Sequence, residues 1–135
     1  MIIVLDTNVL VSGLLKPYGP SAAVLRLVLT GAARIAHDYR VLTEYRDVLS
    51  RPAFGFSPEA VGALLEAMEE DGIPVTPPPA PEALPDPDDA PFWEAALAAG
   101  ADAIVTGNKR HFPRRVKGPR ILSPSEFLSV FGSGF

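Results

Sequence analysis

The sequence predicts an α/β chain: three α/β/α layers around a central parallel sheet of about five strands. Short continuous apolar runs, such as Ile2-Ile3-Val4-Leu5 and Ala103-Ile104-Val105, are what strands buried on both faces require. Longer segments with apolar residues at helical spacing lie between those runs, opened by cap signals or closed by glycine. Two runs also lead directly into polar residues, Asp6 and Thr106-Gly107-Asn108. Parallel strands bring such ends to one edge of the sheet, where open α/β folds place their sites.

The elements follow in order. Ile2–Leu5 is the first strand, and a helix is expected near Thr7 or Asn8. Gly19-Pro20-Ser21 breaks the chain, with Ser21 as the expected cap of a helix carrying Val24, Leu25, Leu27, Val28 and Leu29, closed by Gly31. Arg34–His37 reads as a second strand. Residues 38–49 read as a helix with Val41, Leu42, Tyr45, Val48 and Leu49 on one face, ended by Arg51-Pro52. Ser57-Pro58-Glu59 combines a cap, a first-turn proline and an acid at the positive end of the dipole, so a helix should run to about Asp71-Gly72. Residues 73–76 form a third strand candidate, and the proline-rich stretch 77–87 an extended loop. Asp88 and Asp89 cap a helix over 91–99, ended by Gly100. A fourth strand spans 103–106 and a fifth is Ile121-Leu122. Ser123-Pro124-Ser125-Glu126 is a capping box for a last helix over Pro124–Phe131, and 132–135 form a short tail.

A chain of 135 residues, 47% hydrophobic, suits one domain spanning 1–135 with a sizeable core. No apolar run approaches the roughly 20 residues needed to cross a bilayer. The N-terminus lacks the basic region of a signal peptide, so a cytoplasmic location is expected. The absence of cysteine excludes disulfides, thiolate zinc sites and thiol nucleophiles. The net charge of −4 excludes a globally basic nucleic-acid binder, but the charge is uneven. Residues 109–120 carry Lys109, Arg110, Arg114, Arg115, Lys117 and Arg120 with His111 and no acid, whereas 59–94 is rich in acids and has no Lys or Arg. The basic segment is either a phosphate-binding patch beside an acidic pocket or a solvated loop.

Four residues stand out as chemistry. Asp6 ends a buried run, although an acid there also serves as a helix cap. Glu44, taken alone, is a solvated mid-helix acid, and its position after the second strand is what raises it. Asp86, Asp88 and Asp89 crowd three carboxylates into four residues, more than capping needs, and their repulsion is offset if a cation binds. Of these Asp89, at the mouth of the next helix, is the best placed. Thr106-Gly107-Asn108 is either a plain tight turn or a hydroxyl and an amide oxygen at the site. Carboxylates and an amide converging on one point suit a hard cation such as Mg²⁺ or Mn²⁺. His37 and His111 have no zinc-pair spacing, and phosphate-loop, dinucleotide and nucleophile-elbow patterns are absent. Phe92 and Trp93 read as core or interface.

The ordered set of motifs resembles PIN-domain proteins, especially the bacterial branch that includes toxins of toxin–antitoxin pairs. It consists of Val4-Leu5-Asp6-Thr7-Asn8-Val9-Leu10-Val11-Ser12, of Leu42-Thr43-Glu44-Tyr45, of Asp86-Pro87-Asp88-Asp89 with Phe92 and Ala95-Ala96-Leu97, and of 100–109 from Gly100 to Lys109. The resemblance implies a metal-dependent ribonuclease that cuts single-stranded RNA, with Asp6, Glu44 and Asp89 as ligands of Mg²⁺ or Mn²⁺. Thr106 matches the family's common Ser/Thr and, with Thr7 and Asn8, supports the pocket. Asn108 falls where many members carry a fourth acid, so the site has one negative charge fewer. Lys109, Arg110, Arg114, Arg115 and Lys117 would position the RNA backbone. An antitoxin protein and a second copy of the chain are the implied protein partners, with Val61, Leu64 and Leu65 a candidate surface for either. Two other readings compete: an inactive RNA- or partner-binding module, favoured by Asn108, and a metal-dependent phosphohydrolase of a small substrate, which requires a closed pocket.

Overall fold

The structure, a computed structural model, describes residues 1–131, and the expected tail 132–135 lies outside them. The strands are β1 (Ile2–Leu5), β2 (Arg34–His37), β3 (Ile73–Pro74), β4 (Ala103–Val105) and β5 (Arg120–Leu122). The helices are α1 (Thr7–Leu15), α2 (Pro20–Leu29), α3 (Tyr39–Leu49), α4 (Pro58–Asp71), α5 (Ala90–Ala99) and α6 (Pro124–Phe131). All strand pairs are parallel, in the order β3-β2-β1-β4-β5.

This order places the site. The chain builds outward from β1 through β2 to β3, then returns to lay β4 and β5 on the other side of β1. The connections on the two sides of β1 diverge and leave a crevice at the carboxyl ends of β1 and β4. Right-handed crossovers put α5, on the return path, on the sheet face opposite the helices of the first crossover. Ile3, Val4, Leu5, Ala103, Ile104 and Val105 are fully buried, as strands covered on both faces must be. Tyr45, Phe92, Trp93 and Phe127 supply the bulk of the core, with Tyr45 tilted against Phe92 at 6.0 Å. Together the buried residues form one contiguous cluster.

The helix ends are mostly those the sequence signals. Asp38 accepts from the Val41 N–H, Ser57 from the Ala60 N–H, and Ser123 and Glu126 exchange both bonds of a capping box. Gly100 closes α5 with φ +59°, a left-handed conformation suited to glycine. Three expectations change. Ser21 does not cap α2: Gly19 is the cap, Pro20 the first helical residue, and Ser21 is buried within the helix. The third strand is cut to Ile73–Pro74, because its partner β2 ends at His37, where the chain turns into α3; the last bond between them is Val75 N–H to His37 O at 2.9 Å. Val61 and Leu65 face inward on α4 and are buried in the core, with Leu64 partly buried against it, so they offer no free face to a partner.

Candidate metal centre

The site grows out of strand register. Leu5 of β1 is paired with Val105 of β4, so the next residues, Asp6 and Thr106, emerge side by side. The ladder continues through them: Asp6 N–H donates to Val105 O, and Thr106 N–H to Leu122 O, each at 2.9 Å. Thr106 is fully buried and donates its hydroxyl to Asp6 Oδ2 at 2.7 Å. Asn8 Nδ2 reaches the same oxygen at 3.2 Å. Asn8 Oδ1 accepts from the Gly107 N–H at 3.1 Å, and Thr106 Oγ1 accepts from the Asn108 N–H at 2.9 Å. The start of α1 and the turn after β4 are thus laced together around one carboxylate. Asp6 is the residue before α1, yet its side chain makes no cap hydrogen bond.

Glu44 arrives from α3. Tyr45, its neighbour, is buried and donates its hydroxyl to Leu5 O, which ties that turn of α3 to the end of β1. Glu44 Oε2 accepts from the Thr7 hydroxyl. Asp89 arrives on a 3₁₀ turn, Pro87–Asp89, that leads into α5. Asp86 caps that turn by accepting from the Asp88 N–H at 3.0 Å, while Asp89 makes no cap hydrogen bond and turns into the cleft. Of the three crowded acids, Asp86 therefore does the capping.

A single cleft of about 540 Å³ is lined by Asp6, Thr7, Asn8, Glu44, Asp86, Asp88, Asp89, Asn108 and His111, with Val11, Ser12, Leu15, Lys16, Val48 and Phe54 completing its walls. The carboxylates feel one another. Burial, then the charge of Asp6, pushes the Asp89 carboxyl up to about 6. Burial raises Asp6, against the hydrogen bond from Thr106. Burial raises Glu44 as well, helped by the charges of Asp6 and Asp88. Acids held above their ordinary range in one cleft are an unbalanced charge cluster that a cation relieves. The donors are carboxylate oxygens, with the amides of Asn8 and Asn108 and one imidazole beside them, and that set fits a divalent metal.

The sequence offers His111 only as a candidate phosphate contact in the basic segment, and its place beside the acids was missed. Its Nδ1 lies 2.9 Å from Asp89 Oδ2, and Asp86, Asp89 and His111 each place a ligand atom within 4.8 Å of the others. The sequence signal was slight: a histidine three residues after Asn108, on the turn Lys109–His111. The basic segment does not act as a unit. Lys109 is paired with Glu126 at 2.8 Å. Arg115 is paired with Glu82 and lies over the Trp93 ring at 5.6 Å. Arg110 and Arg114 are exposed. Lys117 does not reach the cleft, because the chain has by then crossed to the amino end of the sheet, where Lys117 lines a hollow with Asp102 and Gly100.

The family model described as PIN domain matches residues 2–110. The chain belongs to the PIN domain family. PIN domains are generally metal-dependent nucleases acting on RNA, and the acid-lined cleft of this member is consistent with that chemistry. The match takes in Asp6, Glu44, Asp89 and Asn108 and stops one residue short of His111. Searches of curated proteins and of solved structures returned no match. Among the described residues no helix is long and apolar enough to cross a membrane.

Proposed function

We propose that this PIN-domain chain is an endoribonuclease that cleaves single-stranded RNA with Mg²⁺ or Mn²⁺, as the cytoplasmic toxin of a toxin–antitoxin pair. The supporting observation is the cleft at the switch point between β1 and β4, in which Asp6, Glu44 and Asp89 all sit above their ordinary pKa range. Those three carboxylates would hold the divalent ion, which when bound supplies Lewis acidity to water and to the scissile phosphate. The chain's own part is positioning. Thr106 and Asn8 hold Asp6, Thr7 holds Glu44, and the sheet beneath them is fixed. Such preorganisation keeps ligand oxygens in place before substrate arrives. Asn108, exposed at the cleft wall, offers a neutral oxygen. The toxin role, an antitoxin partner and a homodimer rest on the resemblance carried by the motifs.

Asp6→Asn should abolish Mn²⁺-dependent cleavage of single-stranded RNA while leaving the fold intact, since the amide keeps the shape of the side chain. Undiminished cleavage by that variant overturns the assignment. The neutral Asn108 favours one rival, a binding module that does not cut. Calorimetry separates them, because that rival predicts no Mn²⁺ binding near millimolar concentration. The open cleft weighs against a small-molecule phosphohydrolase, which needs an enclosed pocket.

A further inference from the structure

The cleft has two unlike halves. The acids gather at its inner end, where β1 and β4 finish. Its outer half is walled by residues that follow the acids along two helices. On α1, Thr7 is followed by Val11 and Leu15 at four-residue steps, so the wall extends about 12 Å from the site. On α3, Val48 lies one turn beyond Glu44, and Phe54 follows on the 3₁₀ turn Pro52–Phe54. Phe54 is half-buried and braced from behind by Phe56, with ring centroids 5.7 Å apart and planes 20° apart. Gly55, at φ +68°, makes the reversal that sets the two rings in a stack. Lys16 stands exposed at the far end of the α1 wall and, among the described residues, makes no ion pair.

We propose that this outer half is a nucleotide subsite, in which Phe54 carries an unpaired nucleobase and Lys16 meets a phosphate farther along the strand. The inference rests on the ribonuclease reading and deepens it by naming what the enzyme grips beside the bond it cuts. The cavity is far larger than an ion and its waters need, and its size is that of sites that take small organic groups. The order along the trough is acids, apolar wall with an aromatic face, then a cation. That order matches a single-stranded chain with one phosphate at the acids, a base on the wall and a phosphate farther along the strand at the lysine. Aromatic stacking of this kind accepts any base and requires that it be unpaired, which selects single strands. This RNA contact lies along α1 and α3, away from the basic segment after β4, in which Lys109 and Arg115 are held by acids and Arg110 and Arg114 are exposed.

The test walks a single abasic nucleotide along a short single-stranded RNA, with wild-type protein and Mn²⁺. KM should rise about tenfold at one position and little elsewhere, because stacking on one aromatic is lost only there. Phe54→Trp should report the same position by fluorescence: its emission is quenched by the intact oligonucleotide in Ca²⁺ and restored by the abasic one. Phe54→Leu keeps the apolar wall and should reproduce the KM defect without a change in melting temperature. Lys16→Gln should lower the salt slope of binding by about 0.7. If wild-type protein cleaves RNA and KM is the same at every abasic position, the subsite is overturned while the nuclease reading stands. A wall that serves a protein helix instead of a base gives that result. If wild-type protein neither binds nor cleaves RNA in Mn²⁺, the nuclease reading fails and the subsite falls with it.

Discussion

Thr106 donates its hydroxyl to Asp6 Oδ2 at 2.7 Å, one residue beyond the paired Leu5 and Val105. The same oxygen atom of Thr106 accepts the Asn108 N–H at 2.9 Å, so a single buried hydroxyl orients both the first carboxylate and the turn that follows β4. Thr106→Val keeps the volume but strands an acceptor and a donor. It should cost about 1–3 kcal/mol in urea unfolding and weaken Mn²⁺ binding by calorimetry. Thr106→Ser should restore most of both. A valine variant with wild-type stability and Mn²⁺ affinity would show that the hydroxyl has no such role.

The raised acids make the metal-free protein sensitive to pH in a defined direction. The Asp89 carboxyl is pushed up to about 6 from an ordinary value of 3.8, so the folded state holds its proton more tightly than the unfolded state does. Its contribution to stability is fully present below about pH 4 and is lost as the pH rises through about 6. Asp6 and Glu44 are shifted the same way. In EDTA, Asp89→Asn should therefore flatten the decline in melting temperature between about pH 4 and pH 6. Mn²⁺ affinity should move oppositely, strengthening over that range as the ligands lose their protons. An Asp89→Asn profile that overlays wild type would refute the account of that carboxyl.

Glu94 lies outside the cleft but holds its surroundings. It is buried on α5, accepts from Arg40 Nη1 at 2.7 Å, and accepts from the Ala80 N–H at 2.9 Å. One carboxylate thus ties α3 and the proline-rich loop to α5. Glu94→Ala should destabilise by about 1–3 kcal/mol, because it leaves an amide without a partner and a half-exposed guanidinium tied only to Asp38. Glu94→Gln, which keeps the side chain's shape and one of the two acceptor oxygens, should lose less. Urea denaturation ranks the two, and equal losses would contradict this account.

Much of this arrangement was legible along the chain because it is written in local chemistry. Ile2–Leu5 followed by Asp6, Arg34–His37 followed by a helical stretch from 38, and the Ser123–Glu126 capping box each signal themselves within a few residues. What stayed hidden depends on contacts far apart in sequence. His111 meets Asp89 across 22 positions, and Thr7 meets Glu44 across 37, and neither partner carries a local mark of the other. The misread cap at Ser21 came from two overlapping signals, a preferred cap residue and a first-turn proline, of which the proline prevailed. Lys117 looked like part of one basic patch because sequence neighbours suggest one surface. The segment instead spans the depth of the sheet, from the carboxyl end of β4 to the amino end of β5.

A crystal of the protein soaked in Mn²⁺, with anomalous diffraction recorded at the manganese edge, addresses the three carboxylates most directly. Density for a Mn²⁺ ion shared by Asp6 and at least one of Glu44 and Asp89, about 2–2.5 Å from their oxygens, is the predicted result. Density held only by Asp86, Asp89 and His111, with none on Asp6 at saturating Mn²⁺, would contradict it.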